Sequence, residues 1–245
     1  MAGALDGVRV IDFGQYIAGP MAAMLLADQG ADVIHIDPPG GPRMATPANA
    51  TWNRGKRSLV LDLKSAEGLE AARRLVASAD VMIENFRPGV MERLGLGAAA
   101  MTAANPRLIY CSLPGFGAGD PRAAIPGSEG VVAAATGTYR PGGRDGQPVY
   151  TALPFSSSYG AFLAATSITI ALNARARDGL GQIIEVPLFD ATFAAIGYRI
   201  GLDPYTSPDA AAVRMLGITR QFACKDGRWF MYHAGNKNAG DFLAA

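Results

Sequence analysis

Polar and glycine-containing loops follow several short apolar runs of this 245-residue sequence. The turn DFGQYIAGP, residues 12–20, joins the first predicted strand to the first predicted helix, and Asp37 ends the second strand. A dinucleotide site at such a turn requires Gly-x-Gly-x-x-Gly, because the backbone must approach the pyrophosphate closely. Only Gly14 and Gly19 are present, and Pro20 removes an N–H from the helix start. The turn therefore disfavours a nicotinamide dinucleotide, although it lies where α/β sheets bind ligands.

Two further polar loops flank predicted strands. The segment NRGKR, residues 53–57, leads into the third strand. Such a basic cluster is usually a solvated surface turn, and an anionic ligand is the alternative. The segment ENFRPG, residues 84–89, ends the fourth strand and opens a helix, whose free N–H groups attract phosphates. A simple capped loop is the alternative there, so each loop alone indicates a site only weakly.

A run of three serines, residues 156–158, opens the longest predicted helix. Serine is a good helix cap, because its hydroxyl accepts a hydrogen bond from a free N–H group of the first turn. As a nucleophile, a serine would need a general base, and no histidine lies nearby in the sequence. Taken alone, the run indicates a helix cap.

Alternating strands and helices must position these loops. An apolar run ends just before each loop, and helices are predicted between the strands, for example over 20–29 and from Ser65 to about Ala77. This alternation predicts an open α/β fold, a Rossmann-like parallel sheet with helices on both faces. The five predicted strands are 8–13, 31–37, 58–63, 81–84 and 108–112.

The pattern changes after Pro114. Residues 114–150 are rich in glycine and proline and predict a long irregular segment around one short helix, Glu129 to Ala135. A segment of this length usually covers a site. We predict a large domain over residues 1–200, followed at 201–245 by a linker and the beginning of a smaller α+β domain. The later predicted elements are a helix at 156–177, a strand at 183–188, a helix from 190 to about 201, and two apolar runs around the turn at 225–227.

Composition argues against several classes of partner. The formal net charge is +1, which gives no electrostatic reason to expect nucleic acid or anionic lipid. Apolar residues make up 49% of the chain, but no segment approaches the roughly 20 uninterrupted apolar residues of a membrane span. The first residues lack the basic leader and apolar core of a signal peptide. We therefore expect neither a membrane nor a nucleic acid as partner.

Cysteine and histidine usage predicts neither disulfides nor zinc. Cys111 and Cys224 lie far apart and outside any Cys-x-x-Cys motif, so the expected compartment is cytoplasmic. His35 and His233 are too few and too dispersed for a zinc site of ordinary spacing. We expect no bound metal and no tightly bound cofactor.

Several ordered blocks of the sequence resemble class III CoA-transferases, the group that includes formyl-CoA and carnitine CoA-transferases and the α-methylacyl-CoA racemases. The resemblance covers nearly the whole chain, and it implies CoA binding by the large domain. It also implies an interlocked homodimer that uses acyl-CoA and a carboxylic acid as substrates. The blocks are LDGVRVID at 5–12, AGP at 18–20, LLADQGADVIHID at 25–37, NRGKRSLVLDLK at 53–64, ADVMIENFRPGVMERLGL at 79–96, NPRLIYCSLPGFG at 105–117 and RARDGLGQ at 175–182.

The resemblance also implies which positions contact CoA. Lysine and arginine can meet phosphates, while aromatic and aliphatic side chains can hold the adenine or the pantetheine chain. The implied positions are Gln15, Ile17, Leu61, Lys64, Asn85, Phe86, Arg93 and Leu94. Pro38 and Pro126 stand where a cation helps to hold CoA in the family, and Arg43 or Arg54 could substitute.

The chain departs from the family at its catalytic position. In active transferases an aspartate attacks the thioester, forms a mixed anhydride and then an aspartyl-CoA thioester. Counting back from Arg175 puts Ser157 at that position, and no Asp or Glu occurs from Gln147 to Ala176. Glu129 could supply a carboxylate from the other side of the pocket. Ser128 replaces the histidine of the racemases and argues against racemase chemistry.

Three hypotheses remain open at this point. The first is a CoA-transferase that exchanges CoA between an acyl-CoA and a carboxylic acid, with reduced or no activity in this chain alone. The second is a degenerate, non-catalytic CoA-binding or scaffold unit, dimerised with or fused to a second transferase unit. The third is a nucleotide-dependent oxidoreductase. Family members continue well beyond this length, so the chain is expected to be a fragment or part of a fusion.

Overall fold

The fold is that of a computed structural model, which describes residues 3–141, 148–149, 153–196 and 218–234. The chain divides into two compact units, Met1–Ala195 and Ile196–Ala245. The predicted division into a large and a small domain at residue 200 stays a prediction.

A six-stranded parallel sheet forms the centre of the first unit, in the order β3-β2-β1-β4-β5-β8. This is the order of a doubly wound sheet. Successive strands are added on one side of β1 up to β3, and from β4 onwards on its other side, so the strand order reverses between β1 and β4. The prediction of an open α/β fold with a parallel sheet is confirmed. The strands are β1 (Arg9–Asp12), β2 (Asp32–Asp37), β3 (Arg57–Val60), β4 (Val81–Glu84), β5 (Ile109–Ser112) and β8 (Ile183–Glu185).

Helices cover both faces, and alternate residues of each buried strand serve two separate cores. In β4, Val81 and Ile83 pack with one cluster and Met82 with the other, as the two-residue period of a strand requires. One cluster contains residues of α1 (Ala18–Ala27), α6 (Glu129–Ala135), α7 (Phe155–Asp178) and α8 (Leu188–Ala195). The other contains residues of α3 (Ala66–Ala77), α4 (Val90–Arg93) and α5 (Ala98–Ala104).

The helix α7 runs antiparallel to the strands. Near its carboxyl end, Arg175 donates to the main-chain oxygen of Arg107 at 2.9 Å and to the carboxylate of Asp80 at 2.9 Å. Both acceptors come just before a strand, β5 and β4 respectively, so they mark the amino edge of the sheet. This 24-residue helix is about 36 Å long, so its amino end lies towards the carboxyl edge.

By length and composition α7 is also apolar enough to cross a membrane, the one such helix in the described part of the chain. A core helix of an α/β protein passes the same test. Here α7 packs against α1 and α8, and Ala161, Ala164 and Ile168 lie in the core. Its packing is that of a crossover helix between β5 and β8.

The remaining described elements are short. The helix α2 (Pro47–Trp52) precedes β3, and β6 (Arg140–Pro141) pairs antiparallel with β7 (Pro148–Val149). In the second unit, β9 (Ile218–Ala223) and β10 (Trp229–Ala234) form an antiparallel hairpin. The predicted turn at 225–227 is confirmed, since the Gly227 N–H donates to the Cys224 carbonyl at 3.0 Å.

Several predicted boundaries were wrong by a few residues. Strands were predicted too long at 58–63 and 183–188, because the chain leaves the sheet after Val60 and after Glu185. The helices α2 and α5 were missed, since both are short and neither has a side-chain cap. The helix predicted from 190 to about 201 begins earlier, at Leu188; its predicted end lies outside the described residues.

Candidate functional site

The reversal point of the sheet brings two loops together at its carboxyl edge. The main-chain N–H of Gln15, after β1, donates to Asn85 Oδ1 at 2.7 Å, and Asn85 Nδ2 donates to the Gln15 carbonyl at 2.8 Å. Gly14 and Gly19 lie so close that a Cβ on Gly14 would be 2.7 Å from the Gly19 Cα. The glycines therefore serve a tight strand-to-helix turn, and the Asn85 amide joins that turn to the loop after β4.

Apolar members of the predicted CoA site share one surface beside these loops. Leu61, Phe86 and Leu94 are all half-buried and pack against the same hydrophobic cluster. Ile17 is half-exposed at the beginning of α1. The side chain of Gln15 points inward, with its amide 3.4 Å from the carbonyl oxygen of Ile36. The main chain of Gln15 pairs with Asn85 and its side chain faces Ile36, so these contacts of Gln15 all lie within the protein.

Two of the predicted positions are cations that the described part of the chain leaves without a side-chain partner. Lys64 and Arg93 are exposed, and neither side chain has a hydrogen bond or ion pair within the residues that the structure describes. Lys64 follows the short β3, and Arg93 ends α4. An unpaired ammonium and an unpaired guanidinium are the groups that phosphates need.

The basic loop at 53–57 forms ion pairs with the protein's own carboxylates. Lys56 is buried and donates to Asp12 Oδ2 at 2.9 Å, to the Pro20 carbonyl at 2.7 Å and to Asn53 Oδ1 at 2.9 Å. The same oxygen of Asp12 lies 2.8 Å from His35 Nδ1. The expectation that Lys56 lies in a solvated surface turn is wrong for this residue.

The ionisation of this buried pair is set by two opposing effects. Burial would raise the pKa of Asp12, but the charge of Lys56 and the hydrogen bond of His35 bring it below its ordinary value. Burial lowers the pKa of Lys56 below its ordinary value, although Asp12 opposes the shift. Asp37, next to His35, accepts a 2.6 Å hydrogen bond from the Ser58 hydroxyl. Asp37 is thus part of this network.

The two arginines of the same loop pair with carboxylates at the surface. Arg54 binds Asp28 at the end of α1, and Arg57 binds Asp32 at the start of β2 at 2.6 Å. Arg54, expected as a possible replacement cation for CoA, is therefore committed to Asp28. Arg43 is exposed and has no ion-pair partner among the described residues.

A third carboxylate of the edge, Glu84, is buried and has no cation partner among the described residues. It ends β4 and accepts a 2.8 Å hydrogen bond from the Phe86 N–H. Burial raises the pKa of Glu84 to about 7; the Phe86 N–H opposes this shift, while Glu92 and Glu185 add to it. No three His, Cys, Asp or Glu side chains of the described ranges converge as metal ligands would.

The amino end of α7 holds a carboxylate, although its own residues are serines. Glu129 Oε1 accepts a hydrogen bond from the Ser156 N–H at 2.7 Å. Glu129 Oε2 accepts from both the N–H and the hydroxyl of Ser157, at 3.0 and 2.7 Å. The residue before the helix is Pro154, so Ser157 is the third helical residue and not the cap. The cap is Glu129, which accepts hydrogen bonds from two of the free N–H groups at the start of the helix.

Backbone contact places Glu129 at this helix end. Gly115 and Gly127 touch, since a Cβ on Gly115 would lie 2.2 Å from the Gly127 Cα. Gly115 follows β5, and Glu129 begins α6 two residues after Gly127. The glycine contact thus fixes the start of α6 beside the carboxyl end of β5. The sequence suggested Glu129 and Ser157 separately, and the structure brings them into direct hydrogen bonding.

A search for known relatives assigns the family. The sequence model described as "CoA-transferase family III" matches residues 5–244. The chain belongs to CoA-transferase family III.

Relatives within the family have different activities in their names. The chain is 48% identical over 201 residues to the "CoA-transferase/lyase DddD" of Marinomonas sp. (strain MWYL1), covering 80% of this chain and 24% of DddD. It is 37% identical over 210 residues to the "Succinate--glutarate CoA-transferase" of Agrobacterium fabrum (strain C58), covering 78% and 52%. The chain thus spans about half, or less, of the length of these relatives.

Solved structures of the family share the fold. A CAIB/BAIF family protein from Brucella suis superposes with a TM-score of 0.80 at 33% identity, covering 96% of this chain and 67% of that one. The six-stranded parallel sheet and its helices are therefore those of a family III CoA-transferase.

Sequence reasoning missed the buried network of Asp12, His35 and Lys56. Its members come from three segments, and their partners are decided by the pairing of β1 with β2 and of β2 with β3. One signal was available, since Asp12 and His35 each end or interrupt an otherwise apolar strand. A polar residue inside a buried strand requires a partner.

Proposed function

We propose that this chain forms the CoA-binding unit of a family III CoA-transferase, which exchanges CoA between an acyl-CoA and a carboxylic acid. The observation that carries CoA binding is the surface beside the two loops that the Asn85 amide joins. There, apolar Leu61, Phe86 and Leu94 share one cluster, and Lys64 and Arg93 have no partner in the described chain. An apolar surface flanked by free cations suits a ligand with an adenine, a pantetheine chain and phosphates.

Calorimetry with free CoA tests this proposal. We expect one molecule of CoA per chain, and an affinity reduced about tenfold or more in Lys64→Ala and in Arg93→Ala, because each loses a charge-assisted hydrogen bond. The matched control is Arg177→Ala, an exposed cation in the last turn of α7, at the opposite edge of the sheet. Equal loss in the control, or no binding by the unmodified chain, would exclude the proposed site.

The reaction follows from the family and from the acids named in its relatives. Exchange of CoA between two acids conserves the thioester, and a protein group that carries the acyl or CoA moiety between them divides the exchange into separate acyl-transfer steps. Succinyl-CoA with glutarate is a suitable first substrate pair, since both acids occur in the name of one relative. Chromatography would detect glutaryl-CoA, and its formation would support CoA exchange.

A second candidate is a non-catalytic CoA-binding unit, and the serine at position 157 favours it. This unit would be joined to an active transferase. The length of DddD supports such an arrangement. The 201 aligned residues make up 24% of DddD, whereas the 210 aligned residues make up 52% of the succinate–glutarate enzyme. DddD is thus about twice as long, which leaves room for a second unit. CoA binding without exchange by the protein at its natural length would favour this candidate.

An exposed apolar face of α7 supports assembly with a second unit, either a second copy or a fused one. Phe155, Tyr159, Phe162, Leu163 and Ile170 are between 43% and 64% exposed and follow a helical period. A row of this kind marks an interface in soluble proteins. Light scattering would test it: Phe162→Glu with Ile170→Glu should lower the mass of a dimer to that of a monomer. Arg74→Glu, at an exposed position of α3 on the other face of the sheet, should not.

Racemase chemistry is the less favoured alternative. It needs a base at position 128, and the Ser128 hydroxyl, at the start of α6, is exposed and makes no cap hydrogen bond. Exchange of the α-proton of a 2-methylacyl-CoA with deuterium would be the measurement that favours a racemase over a transferase.

A further inference from the structure

We propose that Glu129 is the nucleophile of CoA exchange, taking the place of a carboxylate that the first turn of α7 lacks. This inference rests on the proposed transferase function. Its starting observation is the direct contact of the Glu129 carboxylate with the N–H groups of Ser156 and Ser157 and with the Ser157 hydroxyl. The carboxylate belongs to the first residue of α6, and its side chain is long enough to reach the amino end of α7.

Exposure selects Glu129 over the serines as the group that a substrate meets. Ser156 is 1% and Ser157 7% exposed, whereas Glu129 is half-buried. The serines lie beneath the carboxylate and support it. The Ser157 hydroxyl donates its hydrogen to Oε2, so the orientation of the carboxylate is fixed by three donors.

The two carboxylate oxygens differ in how many donors they meet. Oε2 accepts two hydrogen bonds and Oε1 accepts one from the described residues. A carboxylate has about four lone-pair positions, so Oε1 keeps one that no protein donor in the described chain engages. Oε1 is therefore the atom that can add to a thioester carbonyl while the other contacts persist.

The first half of the exchange moves CoA onto the protein. Glu129 Oε1 adds to the acyl carbon of the donor acyl-CoA, the C–S bond breaks, and CoA leaves as a thiolate. The thiolate then attacks the glutamyl carbon of the resulting anhydride. The C–O bond to that carbon breaks, the donor acid leaves as a carboxylate, and Glu129 is left as a thioester of CoA.

The second half repeats these steps in reverse order. The acceptor carboxylate adds to the glutamyl thioester carbon and CoA leaves as a thiolate, giving a second anhydride. The thiolate attacks the acceptor's acyl carbon, and Glu129 is released as a carboxylate. No proton, oxidant or further reactant is consumed. The dipole of α7, directed at Glu129, stabilises the negative charge that returns to this position in each cycle.

Trapping of the adduct tests the proposal. The protein at its natural length is incubated with succinyl-CoA and glutarate, treated with hydroxylamine, and digested for mass spectrometry. We expect a hydroxamate on Glu129 and none in Glu129→Gln, whose CoA affinity in calorimetry should match that of the unmodified protein. Glu129→Asp, shorter by one methylene, should form the adduct at least about tenfold more slowly, because about 1 Å of misplacement can cost a hundredfold in rate.

A double variant separates failure of Glu129 from failure of the function. In Ser157→Asp with Glu129→Gln, the carboxylate moves to the first turn of α7. If the unmodified protein binds CoA but yields no Glu129 adduct, while the double variant exchanges CoA, Glu129 is not the nucleophile and the transferase fold is intact. CoA binding with no adduct in either protein also overturns the role of Glu129.

A hydroxylamine-stable ester on Ser157 would assign the nucleophile to the serine, with Glu129 as its base. Absence of CoA binding would overturn the proposed function as well.

Discussion

Asp12 and Glu129 are both carboxylates near the carboxyl edge of the sheet, and the protein holds them in opposite ways. Asp12 is fully buried between Lys56 and His35, and it also accepts a hydrogen bond from the Gly14 N–H. Glu129 is half-buried, and its three donors are neutral main-chain N–H groups and a hydroxyl. Asp12 is thus paired with a cation and inaccessible to solvent, whereas Glu129 is oriented by hydrogen bonds and partly accessible to solvent.

This difference separates a structural from a chemical role. A buried carboxylate with a full set of charged partners stabilises the loops that it joins and cannot approach a substrate. A carboxylate held by a helix end keeps its negative charge available on its open side. Asp12 should therefore matter for stability, and Glu129 for turnover.

The largest expected effect on stability is that of Asp12→Asn. It leaves the ammonium of Lys56 buried without its anion, which should lower the free energy of unfolding by about 3–5 kcal/mol. Urea unfolding followed by circular dichroism measures this change. Lys56→Met added to Asp12→Asn should recover part of the loss. A decrease below about 1 kcal/mol would show that the pair does not hold the β1 and β3 loops together.

Glu84 sharpens the comparison, because it is buried like Asp12 but lacks a cation among the described residues. Its pKa of about 7 in the folded state exceeds the ordinary value of 4.5, so the folded state binds more protons between these values. The free energy of unfolding should therefore fall by about 3 kcal/mol as the pH rises through this range. Urea unfolding at about pH 5 and pH 8 should show the fall, and Glu84→Gln should remove it. An unchanged pH dependence in the variant would assign it to another group.

Glu129→Gln should lower the free energy of unfolding by only about 1 kcal/mol, the usual contribution of a helix cap. The amide oxygen still accepts one or two of the three hydrogen bonds, and no buried cation is left behind. Thermal unfolding measures the change beside that of Asp12→Asn. A loss as large as that of Asp12→Asn would contradict the distinction between the two carboxylates.

The smallest effect is expected at the surface. Asp28→Asn removes the partner of Arg54, and both side chains are more than one third exposed. The expected loss is below 1 kcal/mol, and it should vanish in about 1 M salt, where exposed charges are screened. This variant is also the matched control for Asp12→Asn, since each removes the carboxylate partner of a cation in the loop at 53–57. A loss that persists in high salt would indicate that the pair is more deeply embedded.

Much of the fold could be predicted because it depends on local patterns. The predicted cap at Ser65 is confirmed, since its hydroxyl accepts from the Gly68 N–H at 3.1 Å. The strand at 81–84 and the helix from Glu129 to Ala135 have the predicted bounds. The family follows from ordered blocks of residues, which the sequence model also matches over 5–244.

The candidate site was predicted less well, because its contacts join distant segments. The serines at 156–158 were interpreted as helix caps, yet the cap of α7 comes from Glu129, 28 residues before Ser157. The CoA contact of Gln15 stays a prediction, and the structure adds that its side chain faces the carbonyl of Ile36. No local rule states which strand ends meet, so these partners cannot be obtained from composition or spacing.

The sequence by itself determined the α/β architecture, the family and the absence of a carboxylate from the start of α7. These features rest on hydrophobic periodicity, turn residues and residue identity, which are all local. Only the tertiary structure decided that a carboxylate lies there nonetheless. The contact between the backbones of Gly115 and Gly127 brings α6 to the amino end of α7. From there the Glu129 side chain is long enough to accept a hydrogen bond from Ser157.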